Sequence, residues 1–264
     1  MSAPPGCESL GRQCQALDVL LRIGSLEEGV ASLDHEATWL LGHTERITFG
    51  EVWTGEGELY VDAVLHVPCR HLKSSGPGRS RCAAHGFEGR TPRPARKPDQ
   101  PRQLGRDRFR VVDRMKVVNR HLPAPPPAPA PRRALPVLAE ASGNPCEGAP
   151  CETSDHKRGA ACCRDLQVEI MCTRKELFLE ALIRHRKSPY LCKVGREGDF
   201  SIDAEMISAC GFIEPGGVAC TLHGRNRADG RTAKPDLCFE WPPKDKGLHP
   251  GCVFKGRKRA SKAG

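Results

Sequence analysis

Apolar residues recur at every second position in four stretches of the chain. Leu17, Val19 and Leu21 alternate with other side chains, and so do Leu166, Val168 and Ile170. Longer runs are Leu59, Val61, Ala63, Leu65 and Val67, ending at Pro68-Cys69, and Phe200, Ile202, Ala204 and Met206, leading to Cys210. A two-residue period is the mark of a half-buried strand, and the two longer strands each deliver a cysteine. Two other stretches follow the helical period. Val30, Leu33, Ala37, Leu40 and Leu41 share one face behind the capping box Ser25-Leu-Glu-Glu28, and Gly42 ends it. Leu177, Phe178, Ala181 and Leu182 follow a second box, Thr173-Arg-Lys-Glu176, and stop before Ser188-Pro189. Val111, Met115, Val118 and Leu122 predict a short basic amphipathic helix.

These elements come in the same order twice, and the residues around them match. EGELYVDAVLHVPC (56–69) aligns without a gap on EGDFSIDAEMISAC (197–210). Beyond each cysteine, CAAHGFEGRTPRP from Cys82 parallels CTLHGRNRADGRTAKP from Cys220. An internal repeat of this kind takes precedence over other fold signals. The expected fold is therefore α+β: two tandem small cysteine-rich modules, each strand-helix-strand plus a loop-rich metal site. Residues 1–122 form the first, degenerate module and residues 144–254 the second. Residues 123–143 between them hold a proline-rich run that should be an extended linker, and 255–264 form a basic disordered tail.

Fourteen cysteines in 264 residues are many for a chain with modest apolar content. The N-terminal residues have no basic-then-apolar signal pattern, and no stretch approaches the ~20 apolar residues of a membrane helix. The cytoplasm is the expected location, and thiols in a reducing compartment bind metal or do redox chemistry rather than form structural disulfides. The repeat singles out Cys7 with Cys151, Cys14 with Cys163, Cys69 with Cys210, and Cys82 with Cys220. Two sets of four thiolates fit a closed tetrahedral site or a small iron–sulfur cluster, and thiolates do not discriminate zinc from iron. Cys162 and Cys238 are additional candidates of the second set. His85 and His223 each follow a cysteine by three residues, as ligands or, preferably, as hydrogen-bond donors to a thiolate. Cys172, Cys192 and Cys252 read as small buried hydrophobes.

The second half, on these residues, resembles the YkgJ-type cysteine-cluster family of zinc- or iron-chelating domains. The matching positions are Cys151, Cys162-Cys163, Cys210-Gly-Phe-Ile, Cys220-Thr-Leu-His and Lys234-Pro235-x2-Cys238-x2-Trp241-Pro242. The head departs from the family spacing, since Cys146-x4-Cys151-x10-Cys162 is expanded. The first half resembles a degenerate copy. The resemblance implies metal chelation without a defined reaction.

The net charge of +9 is unevenly spread: residues 1–69 hold 3 basic and 11 acidic side chains, and residues 70–133 hold 17 and 4. The leading function is metal or iron–sulfur binding, structural or redox. The first alternative is a zinc-stabilised nucleic-acid-binding protein using the basic segments 102–120 and 255–262. The second is an enzyme with the cluster as cofactor, although the chain has no paired carboxylates, nucleophile motif, P-loop or GxGxxG. A metal ion is the expected partner, a protein partner is left open, and no membrane partner is expected.

Overall fold

The computed structural model describes residues 3–28, 30–93, 110–112, 146, 149–153, 156–214, 217–226, 232–235 and 238. The proline-rich linker, most of segment 102–120 and the basic tail lie outside the described residues.

The architecture is mostly antiparallel β. Ten strands form two sheets, and two helices account for 17% helix. The first half runs β1 (Leu17–Ser25), α1 (Val30–Gly42), β2 (Ile47–Gly55) and β3 (Glu58–Leu65). A small three-stranded sheet of β4 (Leu72–Gly76), β5 (Arg79–Cys82) and β6 (Glu88–Arg90) follows, then β7 (Arg110–Val112). The second half runs β8 (Asp165–Met171), α2 (Leu179–Arg186), β9 (Leu191–Glu197) and β10 (Ser201–Ile207). The large sheet has the order β7-β2-β3-β1-β8-β10-β9.

The strand-helix-strand α+β expectation is thus corrected: each half supplies a third strand to a sheet that runs through both. The missing strands are β2 and β9, and both carry irregular pairing. The β2–β3 register shifts between Phe49 and Val52, and the β9–β10 register shifts between Asp203 and Glu205. A bulge inserts an extra residue and breaks the two-residue period by which a strand is recognised. The Glu56-Gly57 turn between β2 and β3 has φ of 52° and 79°, the pair of positive values that a tight hairpin turn requires. Residues 110–112 pair with β2 as a strand, where the apolar spacing had predicted the start of a helix.

The halves meet at β1 and β8, where Leu20 faces Met171 and Leu21 faces Ile170. Arg22 on β1 ties the seam, with Glu58 at 2.7 Å on one side and Glu169 at 3.4 Å on the other. One core lies beneath both halves. It joins Val19, Leu21, Val61 and Ala63 to Val168, Ile170, Ile202 and Ala204, with Leu40 and Leu41 of α1 and Leu182 and Ile183 of α2 packed against them. The capping box at Thr173 forms as expected, the Thr173 N–H donating to Glu176 Oε2 at 3.1 Å. Ile170 and Leu21 are both fully buried at the seam. Ile170→Ala should cost ~2–5 kcal/mol, the range for large-to-small core changes. Because the core is continuous, urea unfolding should remain one transition at a lower midpoint; two resolved transitions would show that the halves fold separately.

Candidate metal centres

The first group of thiols is Cys7, Cys14, Cys69 and Cys82. Cys14 closes a short 3-10 turn, Arg12–Cys14, just before β1, and Cys82 ends β5. Cys69 follows β3, and its N–H donates to the Cys14 carbonyl at 2.8 Å. Burial pushes the Cys7 thiol up, and the neighbouring thiols of Cys82, Cys14 and Cys69 add to it. Burial likewise raises Cys69, opposed by the His71 N–H donating to its sulfur and by the Arg186 guanidinium.

The second group is Cys163, Cys210, Cys220 and Cys238. Cys163 closes the 3-10 turn Ala161–Cys163 before β8, and the Cys210 N–H donates to its carbonyl at 3.0 Å. Cys163 is held down to about 7, chiefly by a hydrogen bond with Cys162; burial opposes this, while Lys234 and Arg164 add to the lowering. Burial raises Cys210 to about 12, raises Cys220, and raises Cys238 further. The charges of Cys163, Cys210 and Cys220 all reach Cys238.

The main-chain bonds around the two groups run in parallel. The Ala83 N–H donates to the His71 carbonyl at 2.8 Å, and the Thr221 N–H to the Phe212 carbonyl at 2.8 Å. Leu72 pairs with Cys82, and Ile213 bridges to Cys220. The N–H two residues on donates to the sulfur of Cys69 (from His71), Cys210 (from Phe212) and Cys220 (from Leu222). A turn that aims an amide at its own cysteine sulfur favours the charged thiolate.

Each group also rests on the helix of the other half. The Arg70 N–H donates to the Arg186 carbonyl at the end of α2 (2.9 Å), and the Gly211 N–H to the Gly42 carbonyl at the end of α1 (2.8 Å). A Cβ on Gly42 would lie 3.1 Å from the Phe212 ring and 3.4 Å from Cys210 Sγ, so a larger residue there would have to push the ring back by a few tenths of an ångström. Arg186 itself turns inward. Its guanidinium donates to the carbonyls of Gln13 and Val67, and the side chain is 2% exposed. Burial lowers it to about 10, while the thiols of Cys69, Cys14 and Cys7 pull the other way.

Histidines gather at the first group. His85 Nε2 lies 2.9 Å from His185 Nε2, and their rings stack at 4.9 Å. The ligand atoms of Cys7, His85 and His185 all lie within 4.8 Å of one another. The His71 Nε2–H donates to the His185 carbonyl at 3.1 Å. Burial is the main cause that lowers His185, followed by His71 and His85. A bare imidazole pair at this distance can share only one proton between its facing nitrogens, whereas two unprotonated nitrogens could both face a metal ion.

Of the predicted site residues, the structure brings Cys7 and His85, with His185, to within 4.8 Å of one another, and among the described residues no other group of three or more ligand atoms is that close. Cys14, Cys69 and Cys82 are neighbours of Cys7, and Cys162 lies beside Cys163 near Cys210, Cys220 and Cys238. Cys151 packs with Ala149 and Ala161 in a small apolar cluster. The His223 side chain is exposed, and the residue reaches the Cys220 sulfur through its N–H. Cys172 is core. His185, Arg186 and His71 were not singled out in the sequence. His71 could have been found from its Cys-x-His spacing. His185 and Arg186 lie in the other half, and no local pattern connects them to Cys7.

No family model, no curated protein and no solved structure matches this chain. Among the described residues, no helix is long and apolar enough to cross a membrane.

Proposed function

We propose that the protein is a transition-metal binder with two thiolate-rich centres, zinc or iron, built from two copies of one unit. Cys7, Cys14, Cys69 and Cys82, with His85 and His185, would hold the first ion; Cys163, Cys210, Cys220 and Cys238, with Cys162 beside them, the second. The observation that carries this reading is the burial of Arg186 against Cys7, Cys14 and Cys69. A cation taken from water needs an anion, and burial pushes the Cys7 and Cys69 thiols up, away from the charged form. A bound metal deprotonates its thiols outright and supplies the missing negative charge. The ion would serve structurally, closing loops that have little apolar side chain of their own.

Anaerobic purification with elemental analysis tests the reading. Two equivalents of metal per chain are expected, falling to one in Cys69→Ser. A colourless protein assigns zinc and a brown one an iron–sulfur cluster. A folded, metal-free protein whose melting temperature ignores a strong chelator would overturn the proposal.

A further inference from the structure

The small sheet presents a face that its own charges oppose. Along β4, β5 and β6 the side chains alternate, with Ser80 and Cys82 buried and Lys73, Arg79, Arg81 and Arg90 exposed. In register, Arg79 stands opposite Arg90, and Lys73 opposite Arg81, whose other neighbour is Glu88. Four cations and one carboxylate thus share one surface a few residues wide. Like charges directly opposite one another destabilise a sheet, and strands are only ~4.8 Å apart. Among the described residues none of the four cations has an ion-pair partner.

We infer that this face binds the phosphate backbone of double-stranded nucleic acid. A polyanion relieves both like-charge pairs at once, and the two rows of cations, ~7 Å apart along the strands, can meet successive phosphates. Among the described residues no aromatic side chain stands on the exposed face, which argues against the base stacking that single strands use. The contacts are to phosphate and carry no sequence preference. Because the inward side of β5 carries Cys82, the first metal centre would anchor a sheet too small to be stable alone. The inference stands on the charge pattern, and only its stability rests on the metal.

The test is duplex binding by the metal-loaded full chain, read by fluorescence anisotropy on a random-sequence duplex at several salt concentrations. Each phosphate contact contributes ~0.9 to the slope of log K against log salt. The double variant Arg79→Gln/Arg90→Gln should lower the slope by about 1.8, so that raising salt fourfold weakens binding roughly twelvefold less than in the parent. Unchanged metal content and circular dichroism establish that the variant is folded. Lys258→Gln/Arg259→Gln, in the tail, should leave the slope as it was. An unchanged slope in the sheet variant, a drop only in the tail variant, tighter binding of an equal-length single strand, or a preference for polyglutamate over duplex would each overturn the assignment.

Discussion

Arg186→Met should strip metal from the first centre and leave the second loaded. The guanidinium is buried, and the charged neighbours that favour its cation are the thiols of Cys69, Cys14 and Cys7. With a metal bound those sulfurs are anions, and removing one partner of a buried charge pair costs ~3–5 kcal/mol. That corresponds to a loss of metal affinity of at least a hundredfold. Arg186→Lys retains the charge and should recover most of it, although lysine lacks the fork that reaches both Gln13 and Val67. Without metal the guanidinium has no metal-fixed thiolates to pair with, and the methionine variant should lose much less stability than it does when loaded. Chelator competition and urea unfolding, each with and without metal, separate the effects. Equal losses in the loaded and metal-free proteins would mean that Arg186 acts only through its two carbonyl bonds.

A second large effect is expected from acid. His43, just past the end of α1, is 1% exposed and donates from Nδ1 to the Trp39 carbonyl at 2.6 Å. Its Nε2 is buried without a hydrogen bond. Burial lowers its pKa from 6.5 to about 4. A depressed histidine pKa means that the unfolded chain takes the proton first. Above pH 6.5 the ring is neutral in both states and contributes nothing to the pH dependence. As pH falls from 6.5 to about 4, stability is lost, by ~3 kcal/mol in total, and below that the loss levels off. Metal also leaves in acid, so the comparison belongs to the metal-free, reduced protein. His43→Leu should be less stable than the parent at pH 7, because the bond to Trp39 is gone, and should show a pH 7 to pH 4 loss smaller by about 3 kcal/mol. Parallel pH profiles for the two proteins would show that His43 titrates normally.

Local periodicity made some of this structure legible. Leu59 to Leu65 and Ile202 to Met206 are strands ending near Cys69 and Cys210, α1 ends at Gly42, and Thr173 caps where Glu176 said it would. β2 and β9 were hidden because Gly50-Glu51 and Lys193-Val194 fall where their pairing shifts, which breaks the alternation. The merging of the halves at Leu21 and Ile170 was hidden for another reason. A strand's pattern shows that it has a buried face, but not which strand lies beside it. The repeat pointed to Cys14, Cys69 and Cys82 through Cys163, Cys210 and Cys220, but it paired Cys7 with Cys151, which packs instead with Ala149 and Ala161. Arg186 was not, because Arg-His-Arg-Lys at a helix end reads as a solvated, dipole-compensating terminus. In the structure that terminus lies against the other half: the Arg70 N–H donates to the Arg186 carbonyl, and the Arg186 guanidinium donates to the carbonyls of Gln13 and Val67.

The order β2-β3-β1-β8-β10-β9 also bears on how such a chain could arise. Antiparallel pairing of two equivalent strands at the middle of a sheet is the geometry of an isologous contact, in which each subunit offers the other the same patch. A chain holding only one unit would expose its β1 edge and leave its cysteine loop without a helix end to rest on. A second copy supplies both, through a symmetry axis at the Leu21–Ile170 contact. On the proposed reading of two copies of one unit, the protein would be a homodimer in one chain. Joined copies would be free to diverge, and the corresponding contacts here carry Gly42 in one half and Arg186 in the other.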